Sequence, residues 1–134
     1  MNKNIPLLFG QENVPVVLTA DDSQSSLNTV PRLVTVVEVT GVVNDANDFI
    51  VLPNLAQVPN GHKITVLCNA GANFEIRTPA ASGEEINSED CDGTKEYLAT
   101  DTQIHTFTKI NNTIGWMGEG RTAIGAYTTA VVPD

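Results

Sequence analysis

The chain has 134 residues, 41% hydrophobic and 17% charged, with 16 Asp and Glu against 7 Lys and Arg for a net charge of -9. That length supports one core without help from metals or disulfides, and an acidic chain lacking a basic stripe is excluded from nucleic-acid binding. No apolar run approaches the roughly 20 residues of a membrane span, and the cluster at residues 5–9 is broken by Pro6 and too short for a signal-peptide core. The expectation is a protein made in the cytoplasm, with no membrane partner.

Residues 1–31 have no sustained periodicity. Pro6, Pro15 and Pro31 return the backbone to extended geometry, which predicts an N-terminal arm with short β segments, the best of them over 14–19. Ile5, Leu7, Leu8, Phe9, Val16, Val17 and Leu18 make this stretch too apolar for a solvated tail. It packs either on a partner or, as a first strand, on its own body. Residues 21–28 form a polar loop. In the strand that follows Pro31, Leu33, Thr35, Val37 and Val39 share one face and Val34, Val36, Glu38 and Thr40 the other. Both faces are largely apolar, as in a strand covered on two sides or lying at a subunit contact.

A turn cluster at 44–48 leads into a short strand over 49–52, which Pro53 stops. Residues 58–87 carry the clearest local signal. A Pro59-Asn60-Gly61 turn opens a strand with Ile64, Val66 and Cys68 on one face, and after Asn69-Ala70-Gly71 a second strand alternates Phe74, Ile76 and Thr78 with Glu75 and Arg77. This pattern predicts a β-hairpin.

Residues 79–92 read as a loop rich in acids, with Ile86 anchoring it to the core. Cys68 and Cys91 are read as two free thiols, a bridge between them being the alternative. A strand over 103–110 sets Ile104, Thr106, Thr108 and Ile110 against Gln103, His105, Phe107 and Lys109, and Asn111-Asn112-Thr113 turns it back into Ile114-Gly115-Trp116-Met117 as another hairpin. A last strand is expected over 122–132. Strands this regularly spaced, with no credible helix, predict an all-β fold: a small antiparallel β-sandwich or barrel over 32–134, preceded by the arm at 1–31.

Chemistry is sparse. His62 and His105 flank no nucleophile, and G-x-S-x-G is absent. Asp90, Asp92, Gly93 and Glu96 resemble part of a calcium loop but miss its spacing, so the acids read as a solvated surface. Trp116 is expected in the core with its indole N–H bonded to backbone, and together with Tyr97 and Tyr127 it is the only residue suited to stacking a sugar. No enzyme activity, metal or cofactor is expected.

The order of motifs over residues 51–117 is an LPN strand, PNGHKITVLCNAG, FEIRT, SGEEIN, and a Thr-rich strand leading through NNTIGW. It resembles a module of tailed-bacteriophage structural proteins, in which head-fibre, tail-fibre and capsid-decoration domains are small, antiparallel and usually trimeric. The likeness covers about half the chain and brings no catalytic residues. It implies a virion protein, and a single compact body with an apolar arm fits a decoration (cement) protein on the capsid surface better than a fibre. On that reading Ile5, Leu7, Leu8 and Phe9 bind the major capsid protein. Val34, Val36, Val37, Val39 and the last strand then supply core and inter-subunit contacts of a homotrimer. The alternative is a fibre-tip receptor- or carbohydrate-binding domain, with Trp116, Tyr97 and the acidic loop facing a sugar.

Overall fold

A computed structural model describes residues 15–121; the arm residues Ile5, Leu7, Leu8 and Phe9 and the strand expected over 122–132 lie outside them. The described chain is all-β. Its strands are β1 (Val16–Ala20), β2 (Val36–Val42), β3 (Phe49–Val51), β4 (Lys63–Cys68), β5 (Phe74–Arg77), β6 (Glu85–Ile86), β7 (Glu89–Asp90), β8 (Tyr97–Ala99), β9 (Ile104–Asn111) and β10 (Gly115–Arg121). Among the described residues no helix is long and apolar enough to cross a membrane.

Two sheets share one core. The larger has the order β1-β2-β4-β9-β10-β6-β7 and the smaller β3-β5-β8. The chain visits them alternately, so that β1, β2 and β4 stack in parallel in one sheet while β3 and β5 stack in parallel in the other. Residues 28–30 extend the smaller sheet by one more parallel step: Val30 N–H donates to Val51 O and Val51 N–H to Asn28 O, both at 2.8 Å. Three parallel windings of a flattened solenoid result. A fourth runs backwards and closes them, β8 pairing antiparallel to β5 and β9 antiparallel to β4.

This corrects the expectation of an antiparallel sandwich or barrel, and it corrects the hairpin at 58–87. The Pro59-Asn60-Gly61 turn forms as expected, His62 N–H donating to Pro59 O and Gly61 taking φ +84°. The next turn, however, is a corner, because β4 and β5 belong to different sheets. Gly71 (φ +73°) donates its N–H to Asp101 Oδ1 and Asp101 N–H donates to Asn73 Oδ1, each at 3.1 Å. Those bonds tie the corner after β4 to the corner before β9, where a hairpin would have closed the two strands on each other.

The arm boundary moves as well. Residues 15–31 belong to the body, with β1 paired to β2 and Leu18, Ala20 and Val30 in the core. Asn28, fully buried in the polar loop, holds the first corner by donating Nδ2–H to Ser23 O and Phe49 O at 3.0 Å while its Oδ1 accepts from Ser25 N–H.

Parallel stacking puts like residues above one another. Leu18, Val39 and Cys68 align, as do Val37 and Val66, and in the smaller sheet Ile50 and Ile76. The β9–β10 hairpin forms as expected, with a bulge between Gly115 and Trp116. Gly115 sits at φ +81°, and a Cβ there would collide with the Glu85 carbonyl oxygen. The Gly-Trp pair therefore lets β10 approach β6 closely enough to pair Trp116 with Ile86. The acidic stretch also holds more order than a loop: β6 and β7 form a two-residue hairpin whose Asn87 and Ser88 take φ +54° and +70°. Ile86 is fully buried, as its anchoring role requires.

Candidate interaction surface

Strand β9 decides what the larger sheet can do. Register sets Phe107 beside Ile64 and His105 beside Val66, so the face that points inward carries His105, Phe107 and Lys109. The face left outward carries Ile104, Thr106, Thr108 and Ile110, and both isoleucines are 39% exposed. The strand buries its charged face and shows its aliphatic one.

Each inward polar group is occupied by the fold. Lys109 Nζ donates to Leu55 O at 2.5 Å and Val58 O at 2.7 Å, holding the 3-10 turn Leu55–Gln57 against β9. Glu84 Oε1 accepts from Leu55 N–H at 3.0 Å, so the carboxylate and the ammonium grip one residue from two sides. Burial raises the Glu84 pKa, opposed by the Leu55 hydrogen bond and the Lys109 charge. His105 Nδ1 lies 2.8 Å from Tyr97 Oη and Nε2 lies 3.1 Å from Gln103 Oε1. Gln103 Oε1 only accepts, which places the proton on Nε2 and makes Tyr97 the donor to Nδ1. Burial lowers the His105 pKa to about 4, so the ring is neutral at pH 7.

His62 Nε2 lies 3.0 Å from Val34 O on the periphery. Both histidines carry bonds that hold the fold. Both cysteines are free, as expected, and both are buried, Cys91 included although it lies among acids; burial is the main cause that pushes Cys68 up to about 12 and Cys91 up to about 11, so neither forms a reactive thiolate. In the acidic stretch, Asp92 accepts from Gly83 N–H at 2.9 Å, and chiefly that bond lowers its pKa. No group of three or more His, Cys, Asp or Glu among the described residues is arranged to hold a metal.

Trp116 and Tyr97 are fully buried. Tyr97 packs edge-on to His105 and Phe107 with centroids 5.3 and 4.9 Å away. Neither ring can stack a sugar, so of the residues named for the carbohydrate-binding alternative the acidic loop alone stays at the surface among the described residues; Tyr127 lies outside them. Trp116 is in the core as expected, but its Nε1 has no hydrogen-bond partner among the described residues, in place of the backbone bond expected.

The valines divide by face. Of the four valines given to core and inter-subunit contacts, Val37 and Val39 are fully buried in the chain's own core; Val36 is half-buried on the outer face, and Val34 packs partly on the core. Across that outer face the rows are Val17, Glu38, Leu67, Ile104 and Arg121, then Val36, Thr65, Thr106 and Glu119, then Lys63, Thr108 and Met117. Val17 is 59% exposed and Met117 46%. An open groove of about 330 Å³ runs between Lys63, Thr108, Ile110, Met117 and Glu119.

Ile104, Ile110 and Met117 are the candidate site residues that sequence reasoning left unassigned. The signal was present in the alternation of β9, which shows two unequal faces without saying which one is buried. No protein-family model and no curated protein matches the chain.

Proposed function

We propose that this protein is a non-enzymatic structural component of a phage virion: a capsid decoration protein that sits on the outer surface of the head as a trimer and stabilises the shell through its N-terminal arm. The observation that carries this reading is the orientation of β9, which buries His105 and Lys109 and leaves Ile104 and Ile110 on a broad aliphatic and threonine-rich sheet face. Such a face suits a surface that works by being covered. The phage-like order of motifs over 51–117 supports the same reading, as does the engagement of both histidines and Lys109 in bonds that hold the fold.

In this proposal the sequence that precedes β1 binds the major capsid protein. Ile5, Leu7, Leu8 and Phe9 bury their apolar area there at about 25 cal/mol per Å², and three symmetric arms turn a modest contact into avidity. The test is removal of residues 2–12 followed by measurement of occupancy on shells that lack the protein. Binding should fall by at least tenfold with the circular dichroism of the body unchanged, and undiminished occupancy would sink the arm.

A further inference from the structure

We propose that Asn60 is a modification site: the chain deamidates there spontaneously once the turn that enters β4 opens, and the folded turn keeps the site unreactive. This chemistry is independent of the decoration role.

Deamidation begins when the backbone nitrogen of the following residue attacks the side-chain carbonyl carbon of asparagine, and glycine, with no Cβ, hinders that attack least. Asn60-Gly61 is the one Asn-Gly step in the chain. Both residues are exposed, and nothing stands within 4 Å of where a Cβ on Gly61 would lie. Asn28 and Asn87, by contrast, have their side-chain amides held by the fold, Asn28 on Ser23 O and Phe49 O, Asn87 on the Gly118 carbonyl and N–H. In the reaction Gly61 N forms a bond to Asn60 Cγ and gives its hydrogen to a solvent base, while the Cγ–Nδ2 bond breaks and the nitrogen leaves with a proton as ammonia. Water then opens the cyclic imide at either carbonyl, giving aspartate or isoaspartate with no change in oxidation state.

The folded turn withholds both the nucleophile and the geometry. Gly61 N–H donates to Lys109 O at 2.7 Å, so the hydrogen that must leave is engaged. His62 N–H donates to Pro59 O at 3.1 Å, and Gly61 takes φ +84° while Asn60 stays out of the positive-φ region. That combination is a type II turn, with ψ of about +120° at Asn60. Ring closure needs Cβ, Cα and C of Asn60 and N of Gly61 nearly in one plane, which for an L residue requires a ψ of the opposite sign. At the ψ of the turn, Cβ stands far out of that plane. Reaching the reactive geometry therefore breaks the bonds of Gly61 and His62. It also works against Lys109, whose own N–H donates to His62 O at 2.9 Å and whose side chain is anchored on Leu55 O and Val58 O. Isoaspartate then inserts an extra carbon into the main chain between Asn60 and Gly61. The turn cannot remake its bonds in register, so an opening that ends in reaction is not reversed.

The experiment incubates the full chain at mildly alkaline pH, folded and in concentrated urea, and follows conversion at each asparagine by peptide mass spectrometry. Hydrogen exchange of the Gly61 amide is measured on the folded protein. In urea Asn60 should convert before the other asparagines, and in the folded chain at least about tenfold more slowly. Exchange and deamidation both require release of the Gly61 N–H, so the slowing should equal or exceed the exchange protection of that amide. Asn60→Gln, whose longer side chain would have to close a larger ring, should abolish the early mass change in urea and keep the circular dichroism of the folded wild type.

Another asparagine converting first in urea, or an early mass change that survives in Asn60→Gln, overturns the site. A folded chain that converts Asn60 as fast as the unfolded one, or a slowing smaller than the protection of the Gly61 amide, overturns the lock.

Discussion

In the parallel windings the inward positions are Leu18, Val37, Val39, Ile50, Val66 and Ile76; in the reversed winding that closes them they are Tyr97, His105, Phe107 and Lys109. The first set is aliphatic and stacks like on like between neighbouring windings. The second set carries a neutral imidazole, an ammonium and a phenol, each held by a named partner. A parallel winding extends itself by repeating the same hydrogen bonds and side-chain rows. The reversed winding also meets backbone carbonyls that lie outside the ladders, in the turn between β3 and β4, and a polar side chain serves that purpose. Lys109 does so by reaching 51 and 54 positions back along the chain, to Val58 and Leu55.

The largest effect should therefore come from Lys109. Lys109→Ala leaves the Leu55 and Val58 carbonyls without their buried donor and removes the cation that favours ionised Glu84. Breaking a buried charged contact from one side costs about 3–5 kcal/mol. Urea unfolding should show a loss of that size, and Glu84→Gln in the same chain should restore part of it, since the carboxylate then no longer needs a counter-charge. A loss below about 1 kcal/mol would mean that the closing winding is held by apolar packing like the others.

His105 gives the next effect, and it is specific to pH. Its folded pKa of about 4 lies below the unfolded value of about 6.5, so between those values the unfolded chain binds more protons. The contribution is complete above pH 6.5 and is lost as pH falls to 4, amounting to about 3–4 kcal/mol. Glu84 works in the opposite sense: its raised pKa means the folded state takes up a proton more readily, which adds stability on acidification. The measurement is thus best made as unfolding free energy against pH in a Glu84→Gln background, with and without His105→Gln. His105→Gln should flatten the slope between pH 6.5 and 4, and an unchanged slope would show that other groups carry it.

The sequence revealed the strands more readily than their partners. Period-two alternation correctly identifies Ile64, Val66 and Cys68 as one buried row and Phe74, Ile76 and Thr78 as another, and the buried anchor Ile86 stands out as the lone apolar residue among acids. Alternation is a local property, however, and says nothing about which sheet a strand joins. The turn after β4 is compatible with a hairpin and with a corner, and the choice is made by Asp101, about thirty residues later. The buried face of β9 was hidden for a related reason. Phe107 and the two isoleucines lie on opposite faces, and Lys109 becomes an inward residue only because distant carbonyls need a donor. The interaction surface follows from that choice, so it too was invisible until the register with β4 was known.

The smallest effect belongs to the parallel windings, and its character matters more than its size. Ile50 is fully buried on β3, aligned with Ile76 on β5, and makes no polar contact through its side chain. Ile50→Val removes one methylene-sized volume beside Ile76 in the aliphatic row of the smaller sheet, at a cost of about 0.5–1.5 kcal/mol. Because no titrating group takes part, that cost should be the same at pH 4.5 as at pH 7.5, unlike the difference between wild type and His105→Gln. Unfolding measured at both pH values separates the two regions. A loss at Ile50→Val that grows on acidification would tie the parallel windings to the protonation of His105, and the division between an aliphatic stack and a polar closing turn would then have to be abandoned.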